Sequence, residues 1–360
     1  MFKYTKLMTR LLKEIRETTA DTKLPSRQEL CSQYQCTRTT IDRAIKELTA
    51  QGYLYSHQGS GTYVASTEFS NPQITHTWGL IVPNIQFQLY SSMLRGVADV
   101  ANKNGISVQI FNTDNEPSKQ RHIIRNLVKL KINGLLIVPN TVTEPQYEIF
   151  FWLKSQNIPF VFCNRGVEEM VNAPLVCSNS FYGGYLATKH LFEKGYKNPA
   201  IITSRFYRLP MDRMQGYLAA VSEQGIKLNR DQIVYRCGVP QAADQPLAYS
   251  ETRKLLELKE RPDSIFCSSE HTLAGVYKAV QDAGLKIPDD IGVISHDNSP
   301  MCLQHFPHVT AVTLDCYQIG HHAAILLEKL MKGEEAPDFN IHVLQPELVI
   351  RQSCLGPGRG

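Results

Sequence analysis

The spacing of apolar residues changes character along the chain, and each change marks a different kind of element. Near the start, Tyr4, Leu7, Leu11, Leu12 and Ile15 recur at helical spacing and predict a first helix. Ile41, Ala44, Ile45 and Leu48 then fall at i, i+3, i+4 and i+7, which predicts a helix over Arg38–Gln51 with one inward stripe. That stripe turns Arg38, Thr39, Arg43 and Lys46 outward. Between the two lies Ser26, with Glu29 three residues later, the pattern of a capping box opening a helix at Ser26. Tyr34-Gln35-Cys36 interrupts the period as a turn, Thr37 is placed to cap the next helix, and Gly52 to close it. Two β-prone runs, Tyr53–Ser56 and Thr62–Ala65, flank His57-Gln58-Gly59-Ser60-Gly61 and predict a hairpin whose glycines let the backbone approach a phosphate.

From Trp78 onward the pattern is different. Short β-branched runs (Gly79–Val82, Val108–Phe111, Gly134–Val138, Phe160–Phe162, Ala200–Ile202, Ile233–Tyr235, Ser264–Cys267, Ile291–Ile294) alternate with helical stretches. The latter include Ser91–Lys103, Gln120–Lys129, Gly183–Lys194, Met211–Gln224 and Thr272–Ala283. Such alternation predicts doubly wound α/β architecture, parallel sheets covered on both faces, and its length asks for two lobes. The expected domains are therefore a winged helix-turn-helix over 1–66, a polar linker over 67–77 and a two-lobed α/β domain over 78–355. Ligands of such sheets bind beyond the carboxyl ends of the strands, in the loops after Val82, Phe111, Cys163, Thr203, Cys267 and Ser295.

Charge adds a location. Residues 1–65 hold ten Lys and Arg against six acids, whereas the remaining chain balances at 28 of each. The whole positive excess of +4 sits on the helical front end, as attraction to phosphate requires. Nine cysteines without a C-x-x-C pair, mostly inside apolar runs, are expected as reduced buried thiols. No His, Cys or acid spacing suggests a metal, so no metal and no cofactor are expected. A polar N-terminus and the lack of an apolar run near 18 residues predict a cytoplasmic protein that spans no membrane.

The order helix, turn, helix, hairpin resembles the GntR family of bacterial regulators. The residues that carry the likeness are Leu24-Pro25-Ser26, Glu29-Leu30, Thr37-Arg38-Thr39-Thr40, Ala44 to Leu48 and Gly59–Val64. The resemblance implies binding of a double-stranded DNA operator. Arg38, Thr39, Thr40 and Arg43 would contact bases or phosphates in the major groove; Ser26 and Arg27 would hold the DNA backbone, with Gln28 beside them; His57, Gln58, Gly59, Ser60 and Gly61 would reach the neighbouring minor groove. Gln28 departs from the Arg that many relatives carry there. Lys46 is open between a phosphate contact and a solvated side chain.

The segment Trp78–Ser353 is similar to the sugar-binding half of LacI/GalR-type regulators and to periplasmic sugar-binding proteins. Leu94-Arg95-Gly96, Ile132–Ile137, Asn164-Arg165, Gly183-Gly184, Arg213–Tyr217, Ile287–Ile291 and the ending Pro346–Ser353 carry this likeness. Together the two halves resemble the GntR/LacI hybrid type. The resemblance implies a sugar-responsive regulator, a repressor of carbohydrate genes acting as a homodimer on a near-palindromic operator. Its effector would be a monosaccharide, a pentose such as L-arabinose being the first to test. The implied effector residues are Gln88, Leu89, Tyr90, Arg165, Arg213, Glu270 and Asp297. Bidentate charged donors and acceptors with an apolar floor are what a ring of hydroxyls with C–H faces requires. Alternatives stay open at single positions: Arg213 as a helix-surface ion pair, Asp297 as a helix cap, Tyr90 as plain core. Ser269-Glu270 replaces the Asn-Asp of many relatives, and Asn84–Gln88 lacks their Pro-Phe-Phe character. The competing functions are a sugar-processing α/β enzyme, for which no G-x-G-x-x-G, Walker or G-x-S-x-G motif is found and no catalytic residue is expected, and a carbohydrate-binding protein without regulatory role.

Overall fold

The computed structural model describes residues 2–19, 21–50, 53–57, 60–65, 76–140, 147–205, 208–236, 244–334 and 341–358. The chain divides into two compact units, Met1–Thr75 and His76–Gly360.

In the first unit, α1 (Phe2–Glu17), α2 (Arg27–Tyr34) and α3 (Arg38–Ala50) precede a two-stranded antiparallel hairpin of β1 (Leu54–His57) and β2 (Gly61–Val64). The capping box is formed: Ser26 Oγ accepts from the Glu29 amide at 3.3 Å while the Ser26 amide donates to Glu29 Oε2 at 2.6 Å. Gln35 takes the left-handed turn at φ 50°. Leu7, Leu11, Ile15, Leu30, Ile41, Ala44, Ile45 and Leu48 close one core with Leu54 and Val64, so the second stripe faces inward, as does the first from Leu7 onward; the Tyr4 side chain lies outside what is described. Gly52, Gln58, Gly59 and linker residues up to 75 lie outside the described residues, and His76 and Thr77 already belong to the first strand of the second unit.

The second unit holds two sheets. The first lobe contains β3 (His76–Val82), α4 (Gln88–Lys103), β4 (Ile106–Asn112), α5 (Pro117–Lys129), β5 (Gly134–Ile137), α6 (Glu148–Ser155), β6 (Phe160–Cys163) and β7 (Leu175–Ser178). The chain then crosses to α7 (Ser180–Glu193), β8 (Pro199–Ser204), α8 (Arg208–Glu223), β9 (Ile233–Arg236), α9 (Asp244–Leu256) and β10 (Ser264–Cys267). The second lobe continues through α10 (Leu273–Asp282), β11 (Gly292–His296), α11 (Met301–Gln304) and β12 (Thr310–Val312). A second crossing returns α12 (Cys316–Met331) and β13 (Ile341–Leu344) to the first lobe, and a third brings β14 (Leu348–Val349) back to the second. The strand orders are β13-β7-β6-β5-β3-β4, all parallel, and β14-β12-β11-β10-β8-β9, parallel except for β14. No described helix is long and apolar enough to cross a membrane.

Helices cover both faces of each sheet, which is why the strand residues read as continuous apolar runs. Residues of α4 and α12 pack on one face of the first sheet with Leu80, Val82 and Val161, and α5 and α6 cover the other. Ala187 and Leu191 of α7 and Met214 and Tyr217 of α8 do the same on the second sheet, opposite α10.

Glycine permits two of these helix pairs to touch backbone to backbone. A Cβ at Gly184 would lie 1.9 Å from the Arg213 carbonyl oxygen, and one at Gly216 would lie 2.0 Å from that of Phe181. Gly96 and Gly320 make the matching approach between α4 and α12. Neither neighbour is a flexible side chain, so a methyl there forces the helices apart. Gly184→Ala is expected to lower unfolding free energy by about 1–3 kcal/mol in urea denaturation, the range for overpacked cores.

Candidate functional site: an interlobe pocket and an exposed basic helix

The loops at the carboxyl ends of the strands converge on one pocket between the lobes. Its walls draw on every loop the sequence pointed to: Phe87 after β3, Asn115 after β4, Arg165 after β6, Leu209 after β8, His271 after β10 and Asp297 after β11. Asn115 (φ 59°) and Asp297 (φ 72°), with Asn164 (φ 65°) that also lines the pocket, hold left-handed backbone without being glycine. Asn and Asp tolerate that conformation best, and it turns the chain sharply off each strand end.

Arg213, in the second turn of α8, is the charged centre. It is 4% exposed. Its Nη1 donates to the Ser268 carbonyl at 2.5 Å and its Nη2 to Asp297 Oδ1 at 3.2 Å, while Nε has no hydrogen-bond partner. A surface ion pair is thus excluded for Arg213. Asp297 does not cap α11 either: the residue at that cap is Pro300. Asp297 instead meets both Arg213 and the buried His296, whose Nδ1 lies 2.8 Å from Oδ1. Burial pushes the Asp297 carboxyl up, but the Arg213 guanidinium and the His296 ring outweigh it and hold it well below the usual carboxylate range. Burial and Arg213 push the His296 ring down to about 4, so it stays neutral at ordinary pH.

Glu270, in the turn between β10 and α10, is 6% exposed, and its Oε2 lacks a partner. Burial, with Asp297 nearby, pushes its carboxyl up to about 7. Arg165 reaches in from the first lobe, its Nε donating to the Pro139 carbonyl at 2.7 Å. Phe87 closes one side, its ring 4.8 Å from that of His271, and Leu89, Tyr90 and Leu314 add apolar walls. Tyr90, 6% exposed, belongs to the lobe core and lines the pocket at once.

The structure therefore brings Leu89, Tyr90, Arg165, Arg213 and Asp297 together. Gln88 is exposed, and with Glu270 it lines an adjoining cavity that shares Leu89, Asp297 and Leu314. Phe87, Asn164 and His271 were not singled out in the sequence as site residues; each is next to, or one residue from, a residue that was.

In the first unit, Arg38, Thr39 and Arg43 are exposed along α3, and Gln28, His57 and Ser60 are exposed around it. Thr40 is half-buried, its hydroxyl paired with that of Thr37 at 2.8 Å. Ser26 is spent on the cap. Arg27 joins Asp42 at 3.1 Å and Thr62 at 3.2 Å, tying α2 to α3 and the hairpin. Gly61 has a local reason: its φ is 134°, and a Cβ would meet Lys23 Cε at 2.7 Å.

The family description "Bacterial regulatory proteins, gntR family" matches residues 3–64, and "Periplasmic binding protein-like domain" matches residues 188–354. The chain is 30% identical over 286 residues to the HTH-type transcriptional repressor PurR of Vibrio atlanticus, spanning 78% of this chain and 81% of that one. The chain belongs to the GntR/LacI hybrid transcriptional regulators. An arabinose metabolism transcriptional repressor of Geobacillus stearothermophilus is 23% identical to this regulator over 335 residues, 92% of each chain. The structure of the transcription regulator CcpA of Lactococcus lactis is 27% identical, with a TM-score of 0.69 over 78% of the regulator and 99% of that chain.

A carboxyl that the fold holds protonated lends stability below its ordinary value near 4.5 and loses it as pH climbs to about 7. Glu270→Gln keeps the shape and removes the titration. Relative to the unaltered regulator, this variant should gain on the order of 1–3 kcal/mol of stability between pH 4.5 and pH 7, measured by urea denaturation at both ends of the window. The comparison cancels much of the His296 contribution, which runs the other way.

Proposed function

We propose that the chain is a sugar-controlled transcriptional repressor that acts in the cytoplasm as a homodimer on a near-palindromic operator. The observation that carries this reading is a pocket built around a buried guanidinium and carboxylate, in the same chain as an exposed, basic recognition helix. A guanidinium with an unused Nε and a carboxylate held ionised are a donor and an acceptor for adjacent hydroxyls, and Phe87, Leu89, Tyr90 and Leu314 suit the C–H faces of one ring. In this reading Arg165, Arg213 and Asp297 orient the ligand, and Arg38, Thr39 and Arg43 contact DNA. The effector is a monosaccharide, with a pentose such as L-arabinose first in line. Support comes from the arabinose repressor's likeness over 92% of both chains, while Ser269-Glu270 alters one contact of the pocket.

Arg38 is exposed, and its ion pair with Asp42 is long at 3.9 Å. Arg38→Ala should therefore leave unfolding free energy within about 0.5 kcal/mol of the parent while weakening operator binding by about 1–3 kcal/mol, read by fluorescence anisotropy. Sugar affinity should not change in this variant.

Coupling between the two sites is reciprocal. The factor by which saturating sugar weakens operator binding should equal the factor by which saturating operator weakens sugar binding. Identical sugar affinities with and without operator would exclude allosteric control and leave a carbohydrate-binding protein.

A further inference from the structure

Eight of the nine cysteines lie in the described residues, all as free thiols. Cys163, Cys267, Cys302, Cys316 and Cys354 are buried in the second unit, as expected of thiols inside apolar runs, and burial pushes that of Cys163 up to about 12. Cys31 and Cys36 break that pattern. Both are half-buried, both stand where α2 turns toward α3, and both pack against the core of the first unit.

The backbone holds them close. Gln35 takes left-handed conformation at the end of α2, and the Gln35 and Cys36 amides both donate to the Cys31 carbonyl, the second at 3.2 Å. In a helix ending closed this way, the side chains at the two ends of the longer hydrogen-bonded turn pack together. A hydrogen bond of that length, with ordinary covalent geometry on either side, keeps the two Cα atoms within about 7 Å, the reach of a disulfide. The Cys36 thiol also donates to the Tyr34 carbonyl at 3.2 Å, a bond that oxidation would remove. Cys36 directly precedes Thr37, whose hydroxyl meets that of Thr40 in the first turn of α3, and it stands two residues before the exposed Arg38.

We propose that Cys31 and Cys36 form a reversible disulfide, by exchange with a small disulfide such as oxidised glutathione, and that this bond weakens DNA binding. One cysteine thiolate attacks a sulfur of the small disulfide, forming a mixed disulfide and expelling one small thiolate. The other cysteine thiolate attacks the protein sulfur of that mixed disulfide, closing the Cys31–Cys36 bond and expelling the second. The two cysteines are oxidised, the reagent takes up their two electrons, and the two protons they give up end on the two small thiols released. The partners are five positions apart in an ordered turn, so ring closure outruns attack by a second reagent molecule. The bond removes the thiol that holds the Tyr34 carbonyl and draws the end of the turn onto α2, which displaces the start of α3, where Arg38 and Thr39 stand. The output rests on the DNA-binding function proposed above; the bond itself does not.

The test equilibrates the full chain in glutathione buffers from reduced to oxidised, alkylates the remaining thiols and maps disulfides by mass spectrometry without reduction. The same samples are titrated by fluorescence anisotropy with the tightest duplex that the reduced chain selects from a random-sequence pool. A Cys31–Cys36 peptide should accumulate as the buffer becomes oxidising, and duplex affinity should fall in parallel by about fivefold or more, the lower end of ordinary coupling between sites. Dithiothreitol should reverse both. Cys31→Ser and Cys36→Ser, with alanine at each position as the second variant, should hold affinity in oxidised buffer within about twofold of the reduced value. Cys177→Ser, which alters the half-buried cysteine of the second unit, should still show the loss. Glutathione adducts without the Cys31–Cys36 bond, or a bond that leaves affinity unchanged, would overturn the proposal. A reduced chain that selects no duplex would refute the DNA reading instead. Amide hydrogen exchange at the start of α3 then decides: faster exchange in the oxidised chain supports the displacement, and unchanged exchange overturns it.

Discussion

A guanidinium carried out of water has to be met by opposite charge and acceptors, and the second unit is arranged around meeting that demand at Arg213. Asp297 supplies the charge and the Ser268 carbonyl a further acceptor, from strand ends 84 and 55 positions beyond Arg213. Removing either charge from such a pair typically costs about 3–5 kcal/mol, because the other is stranded in the interior. The pocket's polarity is thus also part of the lobe's structural integrity. The Gly184–Gly216 approach, which seats the start of α8 against α7, serves the same end, since it sets where the Arg213 backbone can lie.

Two kinds of information were legible in the chain, and they had different limits. Local rules worked for the small domain: Ser26 and Glu29 cap α2, and Ile41, Ala44, Ile45 and Leu48 face its core, because both depend on neighbours a few residues away. The same rules located the strand ends and so the loops that line the pocket. They could not say that α12 belongs to the first lobe, since Ile319 and Leu327 pack on strands more than 130 residues earlier. The edge strand β13 is exposed at three of its four residues and β14 is half-buried at both of its own, so neither alternates and neither left a periodic signal.

The pocket shows the same division. Arg213 and Asp297 were found through likeness to relatives, but their pairing across 84 positions was not visible in either motif. Phe87 and His271 belong to the pocket because their rings meet across the lobes, a juxtaposition with no counterpart in sequence spacing. Arg27 illustrates the reverse: a basic residue beside a recognition motif that the fold uses internally, against Asp42 and Thr62.

The three crossings between the lobes have a consequence for how the protein is made. The first sheet is incomplete until α12 and β13 exist, and the second until β14 does, so neither can finish before Leu344 and Val349, respectively, have been made. The basic front unit has all of its described elements within residues 2–64 and is under no such delay. During each round of synthesis, therefore, the small basic unit can be complete while both sheets of the larger unit are still unfinished.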